Sequence, residues 1–269
     1  MSLPLRSILL VLFCFVYFFA NGQEKYKRVR VDLVGKEFKK LLALDIDTDH
    51  AKPILGRYID IEIPESDLTK LSKDNWKFNI LEEDLVSYYS NAFRPSELEL
   101  DSRSTGCGPK ACNAYSHIQV PNNFSLGSMN GYFTYQELMK ILDEMKAKFP
   151  HLITEKAPIG NYKTHNGNPI YWVRISNNPN QRQNKPQILY TALHHAREPM
   201  SLSQMIFFMW HVLENYDKNN IVTSILNNTE LYFIPCLNPD GYIRNTISAP
   251  NGGGMWRKNA YKNAAGTVV

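Results

Sequence analysis

The sequence predicts an α/β fold, a layered sandwich of helices around a largely parallel sheet, preceded by a small α+β domain. Three observations predict it. From about Tyr132 onward, strand-like and helix-like segments alternate, as in layered α/β domains. The segment Gln187-Ile-Leu-Tyr-Thr-Ala-Leu193 is almost wholly apolar, as a central strand covered on both faces would be. Before residue 93, two segments alternate strictly between polar and apolar residues, the mark of half-buried strands.

Taken in order, residues 24–92 form the α+β block. Arg28-Val-Arg-Val-Asp-Leu33 alternates and reads as a strand. From Glu37 to Leu44 the apolar residues Phe38, Leu41 and Leu42 recur at helical spacing. Tyr58-Ile-Asp-Ile-Glu-Ile63 places three isoleucines on one face. Pro64 is expected to open a short helix through Leu68 and Leu71, since proline suits a first helical turn. Lys77 to Leu81 reads as a third strand. Residues 93–131 are rich in Pro, Ser, Gly and Asn without a sustained period, and read as a linker.

The α/β domain is expected to span residues 132–269. Thr134-Tyr-Gln-Glu137 fits a capping box, and Leu138, Ile141, Leu142 and Met145 continue it with one apolar helical face. Pro169 to Ser176 reads as a strand, and Gln187 to Leu193 as the next. Pro199 starts a helix that is apolar almost all round over 200–214, so it should be deeply buried. Glu230 to Leu237 is a further buried strand, ended by the turn residues Asn238-Pro-Asp-Gly241. Asp240 is expected to cap that turn.

Composition bounds the class. A 43% hydrophobic, 12% aromatic chain of 269 residues can bury a sizeable core. The net charge of +4 is mild and no basic cluster is interleaved with aromatics, so nucleic acid is not an expected partner. Residues 1–22 read as a signal peptide: Arg6 supplies the positive end, Ile8 to Ala20 the apolar core, and Ala20-Asn-Gly22 the small residues before cleavage. The apolar run is short for a membrane span, so no stable membrane insertion is expected and the mature protein should be secreted, periplasmic or extracellular. Of the cysteines, Cys107 and Cys112 could close a small disulfide in an oxidising compartment, and Cys236 reads as a small buried hydrophobe.

In open α/β sheets, ligands collect beyond the carboxyl ends of strands. Two buried strands end in polar clusters: His194-His-Ala-Arg-Glu198, with Pro199 following, and Asn238-Pro-Asp-Gly241. His195 and Glu198, three residues apart, can face one point with a nitrogen and a carboxylate oxygen, a donor set that suits Zn²⁺. The pair alone is weak, because His-x-x-Glu is common by chance and by itself reads more readily as a hydrogen-bonded histidine at a strand end beside a solvated glutamate. His194, His151, His165 and His211 are read as structural.

Residues 132–269 resemble the N-terminal part of the catalytic domain of the zinc carboxypeptidases, the carboxypeptidase A-like metallopeptidases. Four segments carry the resemblance in order: Gly131 to Glu137, His195-Ala-Arg-Glu198, Asn238 to Gly241, and Met255-Trp-Arg-Lys258. The resemblance implies an incomplete α/β/α sandwich of that type, with the block before residue 93 standing where the family has its propeptide. It implies Zn²⁺ as cofactor, His195 and Glu198 as metal ligands, Arg197 as a substrate-binding residue and Arg257 as the catalytic residue that stabilises the oxyanion. It implies a peptide or protein substrate that loses its C-terminal residue. A monomer is the expected state.

The family also implies a later substrate-binding Asn-Arg pair, a third zinc ligand, a tyrosine and a glutamate general base. No His follows His211 in this sequence, so the expectation is a fragment of a longer enzyme, inactive on its own. The alternatives are a non-catalytic peptide-binding or regulatory homologue, and a zinc amidase acting on cell-wall peptides or N-acyl amino acids.

Overall fold

The structure is a computed structural model that describes residues 24–49, 51–91, 119–264 and 266. The expected signal segment and the Cys107/Cys112 pair lie outside the described residues. Two compact units divide the chain, residues 1–88 and 89–269. Among the described residues, no helix is long and apolar enough to cross a membrane.

The first unit is a three-stranded antiparallel sheet with helices. It contains β1 (Tyr26–Asp32), α1 (Phe38–Leu42), β2 (Tyr58–Pro64), α2 (Glu65–Lys73) and β3 (Phe78–Glu82), with strand order β2-β1-β3. A sixth element, α3 (Leu85–Ser90), crosses the division between the units. Strict alternation sends Val29, Val31, Ile59, Ile61 and Ile63 inward, where they meet Leu41, Leu71 and Trp76. Each fully buried side chain of this kind contributes about 1.5–3 kcal/mol by leaving water. The outer row pairs opposite charges across the ladder: Arg28 faces Glu62 and Arg30 faces Asp60. Arg30 donates to both oxygens of Asp60 at 2.7 Å and lies over the Tyr58 ring. These hydrogen bonds hold the Asp60 carboxyl below its ordinary range despite partial burial. Pro64 does not open the helix. With ψ at 150° it remains extended as the last residue of β2 and the N-cap of α2, so strand runs directly into helix.

The second unit holds α4 (Tyr135–Lys148), β4 (Ala157–Lys163), β5 (Pro169–Ile175), β6 (Gln187–Thr191), α5 (Pro199–Asn215), α6 (Asn220–Asn228), β7 (Glu230–Ile234) and α7 (Pro239–Ser248). Its strand order is β4-β5-β7-β6. Its core joins Leu138 and Leu142 of α4, Val173 and Ile175 of β5, Ile206 and Trp210 of α5, and Phe233 of β7. The α/β class holds, but the sheet is mixed: among the described strands only β6 and β7 run parallel. The cause is connectivity. Parallel neighbours need a long crossover, which α5 and α6 supply between β6 and β7, whereas the short turn between β4 and β5 admits only an antiparallel pair.

Four further differences from the sequence reading have local causes. Strand β6 ends the described sheet rather than sitting at its centre, and Leu189 is 60% exposed. An apolar run reports what a strand could cover, not what covers it. Strand β4 escaped the reading because Ala-Pro-Ile-Gly-Asn-Tyr-Lys has no period. It exists only as a partner of β5, with an irregular register between Pro158 and Lys163. Helix α6 escaped because Ile221, Val222, Thr223 and Ile225 are β-branched and favour strands. The Asn219 side chain, which accepts from the N–H groups of Ile221 and Val222, sets the helix instead. Residues 119–131, expected as linker, are anchored to the second unit: Met129 enters its core, and Asn122 and Asn123 donate to the buried Glu214 carboxylate of α5.

Candidate metal-binding site

Parallel pairing of β6 with β7 brings their carboxyl ends together. The ladder continues past both strands, with Ala192 N–H donating to Ile234, Leu237 N–H to Ala192 and Asn238 N–H to Leu193. At Leu193 the chain leaves the sheet. This buried leucine has φ of 51°, in the left-handed region that a β-substituted side chain rarely adopts. Its N–H donates to Ser201 Oγ, which in turn donates to the Glu198 carbonyl. The bend is therefore held from the first turn of α5, and it turns residues 194–198 into a loop across the strand end.

Glu198 is the N-cap of α5 by backbone position, but its side chain makes no capping bond. The carboxylate instead meets His195, Oε1 to Nδ1 at 2.8 Å. Pro199 at the first helical position lacks an N–H that would need a cap. On the opposite side of the ring, Arg257 Nη2 lies 2.7 Å from His195 Nε2. A guanidinium only donates. Nε2 therefore accepts, and the neutral ring carries its proton on Nδ1, toward Glu198. His195 and Glu198 remain about a third exposed, so the pair is reachable from solvent.

These donors fit a metal ion in part. Zinc holds imidazole nitrogen and carboxylate oxygen at about 2.0–2.2 Å, which in a tetrahedral site separates two ligands by roughly 3.3 Å. His195 Nδ1 and Glu198 Oε1 would need to part by only about half an ångström to admit it. Among the described residues no group of three His, Cys, Asp or Glu converges, so these two donors are the part of a ligand set that the described chain presents.

Of the residues singled out by sequence, the structure brings His195, Glu198 and Arg257 together. Arg197 is carried on the same loop, half-buried between the two donors in sequence. His194 is exposed and pairs with Thr191 Oγ1, a side chain rather than backbone. His165 lies in the turn after β4, against the Tyr261 ring. Cys236 is a buried free thiol, and burial pushes its pKa up. Asn238-Pro-Asp-Gly241 is not a free turn but the start of α7, with Asn238 as its N-cap accepting from Gly241 N–H. Asp240 caps nothing. It is buried and accepts from Thr164 Oγ1, Asn166 N–H and Asn168 Nδ2, which fastens the β4–β5 turn to α7.

Sequence reasoning missed two asparagines that hold the site. Asn238 Nδ2 donates to the carbonyls of His194 and Lys258, and Asn245 makes a similar bridge one turn and more along α7. For Asn245 the only sequence signal was an asparagine inside a helix, a position where it usually finds a side-chain task, whereas Asn238 was read only as a turn residue.

The geometry agrees with what the chain resembles. A family profile described as zinc carboxypeptidase matches residues 138–267. Over this segment the chain is similar to the zinc carboxypeptidases. Metallocarboxypeptidase A of Trichophyton tonsurans is 26% identical over 244 residues, covering 88% of this chain and 51% of that protein. Carboxypeptidase A4 of Mus musculus is 26% identical over 246 residues, covering 87% of this chain and 52% of its own length. The chain thus spans about half the length of these curated relatives. Among solved structures, carboxypeptidase A of Helicoverpa armigera superposes with a TM-score of 0.55 at 21% identity, covering 90% of this chain and 54% of that one. Thrombin activatable fibrinolysis inhibitor gives 0.54 at 17% identity, covering 90% and 56%. At these identities the structural likeness shows the fold, an α/β fold of the zinc carboxypeptidase type preceded by a small α+β unit.

Proposed function

We propose that this chain carries part of the active site of a secreted zinc metallocarboxypeptidase that removes C-terminal residues from peptides. One observation carries the reading: a histidine and a glutamate of the family's zinc motif touch at 2.8 Å at a strand's carboxyl end, with a guanidinium 2.7 Å from the other ring nitrogen. His195 Nδ1 and a Glu198 carboxylate oxygen are the donors that would hold Zn²⁺; binding there would displace the ring proton from Nδ1 to Nε2, so the Arg257 contact at Nε2 belongs to the metal-free site. A zinc ion bound there supplies Lewis acidity for a carbonyl and lowers the pKa of a bound water.

The chain's own residues would do the rest. Arg257 is placed to offer a fixed positive charge beside the metal donors, where it would stabilise negative charge that builds up on a carbonyl oxygen only in the transition state. Arg197, on the same loop, would bind substrate, its planar fork matching a carboxylate. In this reading residues 24–92 occupy the place of a propeptide and residues 1–22 direct export.

Zinc titration of the chain tests the proposal. The wild type should bind zinc, and H195A and E198A should each weaken binding by at least about 100-fold, since each removes a direct ligand where loss of an outer partner alone costs 10–100-fold. Unchanged affinity in both variants would sink it. In the enzyme with its full ligand set, R257A should lower kcat and kcat/KM together, the pattern of an interaction made only in the transition state. A binding-only homologue would take zinc and peptide without turnover.

A further inference from the structure

We propose that Asn245 is a positioning residue that clamps the Arg257 segment to the zinc-motif loop and so sets the contact between Arg257 and His195. The inference rests on the functional reading above for its consequence, but its geometry stands alone. Asn245 is only 3% exposed and sits on the inner face of α7. Its Nδ2 donates to Ala196 O at 2.9 Å and to Trp256 O at 2.7 Å, and its Oδ1 accepts from Trp256 N–H at 3.0 Å. Both carbonyls need a donor and the N–H needs an acceptor, so the orientation of the amide is dictated by its partners.

One side chain thus joins the residue directly after His195 to the residue directly before Arg257. Backbone pairing continues the same seam, with Ala196 N–H donating to the Arg257 carbonyl at 3.0 Å. The surroundings are built around this amide. A Cβ at Gly254 would stand 2.8 Å from three Asn245 side-chain atoms, so only glycine leaves room for it there. Trp256 also carries the Arg244 guanidinium over its ring, 3.7 Å from the centroid. A buried amide with three of its four hydrogen-bond positions used in bridging two loops is costly to remove, because the two carbonyls and the N–H would be left without it. Neither loop belongs to a helix or strand, so without this bridge the sheet alone does not dictate how far Arg257 stands from His195.

The test is residue-resolved hydrogen exchange on the full chain, together with the ring ¹⁵N resonances of His195, which report the hydrogen bond accepted at Nε2. In N245A the amides of Ala196 and Trp256 should exchange at least about tenfold faster, as loss of two or three net hydrogen bonds dictates. The His195 ring resonances should move, while the amides of Val173 and Phe233 in the sheet keep their protection. G254A is the second variant should N245A fail to fold: it retains the amide but displaces it, and the same two amides and the same ring should respond. Unchanged His195 resonances with Ala196 still protected would overturn the proposal. So would a uniform loss of protection across the unit, which marks Asn245 as merely stabilising. A wild-type chain that takes up no zinc would defeat the functional reading instead, and would leave the exchange result to decide the clamp.

Discussion

Single residues in this protein act mainly by how completely they are hydrogen-bonded. Glu214 is buried in α5, and burial alone would raise its pKa. Hydrogen bonds from the backbone and side chain of Asn123 and the backbone of Asn122 outweigh that and hold its carboxyl below the ordinary value of 4.5. A lowered folded pKa adds stability that is present above the unfolded value and lost as pH falls through the folded one. We therefore expect E214Q to cost about 1–3 kcal/mol near pH 7, because a glutamine amide turns a donor toward a donor. The difference from wild type should begin to shrink as pH drops below 4.5, where the unfolded-state carboxyl protonates, and stop shrinking once the native carboxyl, held lower, has protonated too. Urea unfolding at both pH values checks this, and a gap that widens in acid would refute the sign. None of this was legible from sequence, since Asn122 and Asn123 lie 91 or more residues from Glu214. His195 and Glu198, by contrast, were legible because both donors sit within one helical turn of each other in the chain. Asp240 was misread because its partners, Thr164 to Asn168, come from another turn altogether.

Secondary-structure elements were readable where their signals are local. The Thr134 capping box forms as its four-residue pattern dictates: Thr134 Oγ1 accepts from Glu137 N–H, and Glu137 Oε2 accepts from Thr134 N–H at 2.7 Å. The same carboxylate also accepts from Ser128 N–H, which ties the preceding β-bridged turn to the helix. T134A should lower stability by about 1 kcal/mol, measured as a shift in the urea midpoint with unchanged slope. The alternating strands β1 and β2 were equally plain. Elements without local signals were not. β4 owes its existence to β5, and α6 overrides its own β-branched composition because Asn219 caps it and Val222 and Leu226 bury one face. Such segments follow tertiary context rather than propensity.

For the whole molecule, two separate cores, one in each unit, follow from apolar content and its periods. How the strands pair does not. In the described sheet β6 is the terminal strand and exposes Ile188 and Leu189 on opposite faces, a surface prone to strand-to-strand association. L189K should reduce self-association of the chain, read by sedimentation velocity at rising concentration. Equal association of wild type and variant would remove β6 as the contact. The sequence by itself determined the element types with strong periods, the apolar faces that make the two cores, and the adjacency of His195 to Glu198, because all of these depend on residues a few positions apart. Only the tertiary structure decided the mixed order of the sheet, the place of β6 at its end, and the approach of Arg257 to His195 across 62 residues of chain. Those depend on which distant segments bury surface against each other, and on two buried asparagines whose partners no local pattern announces.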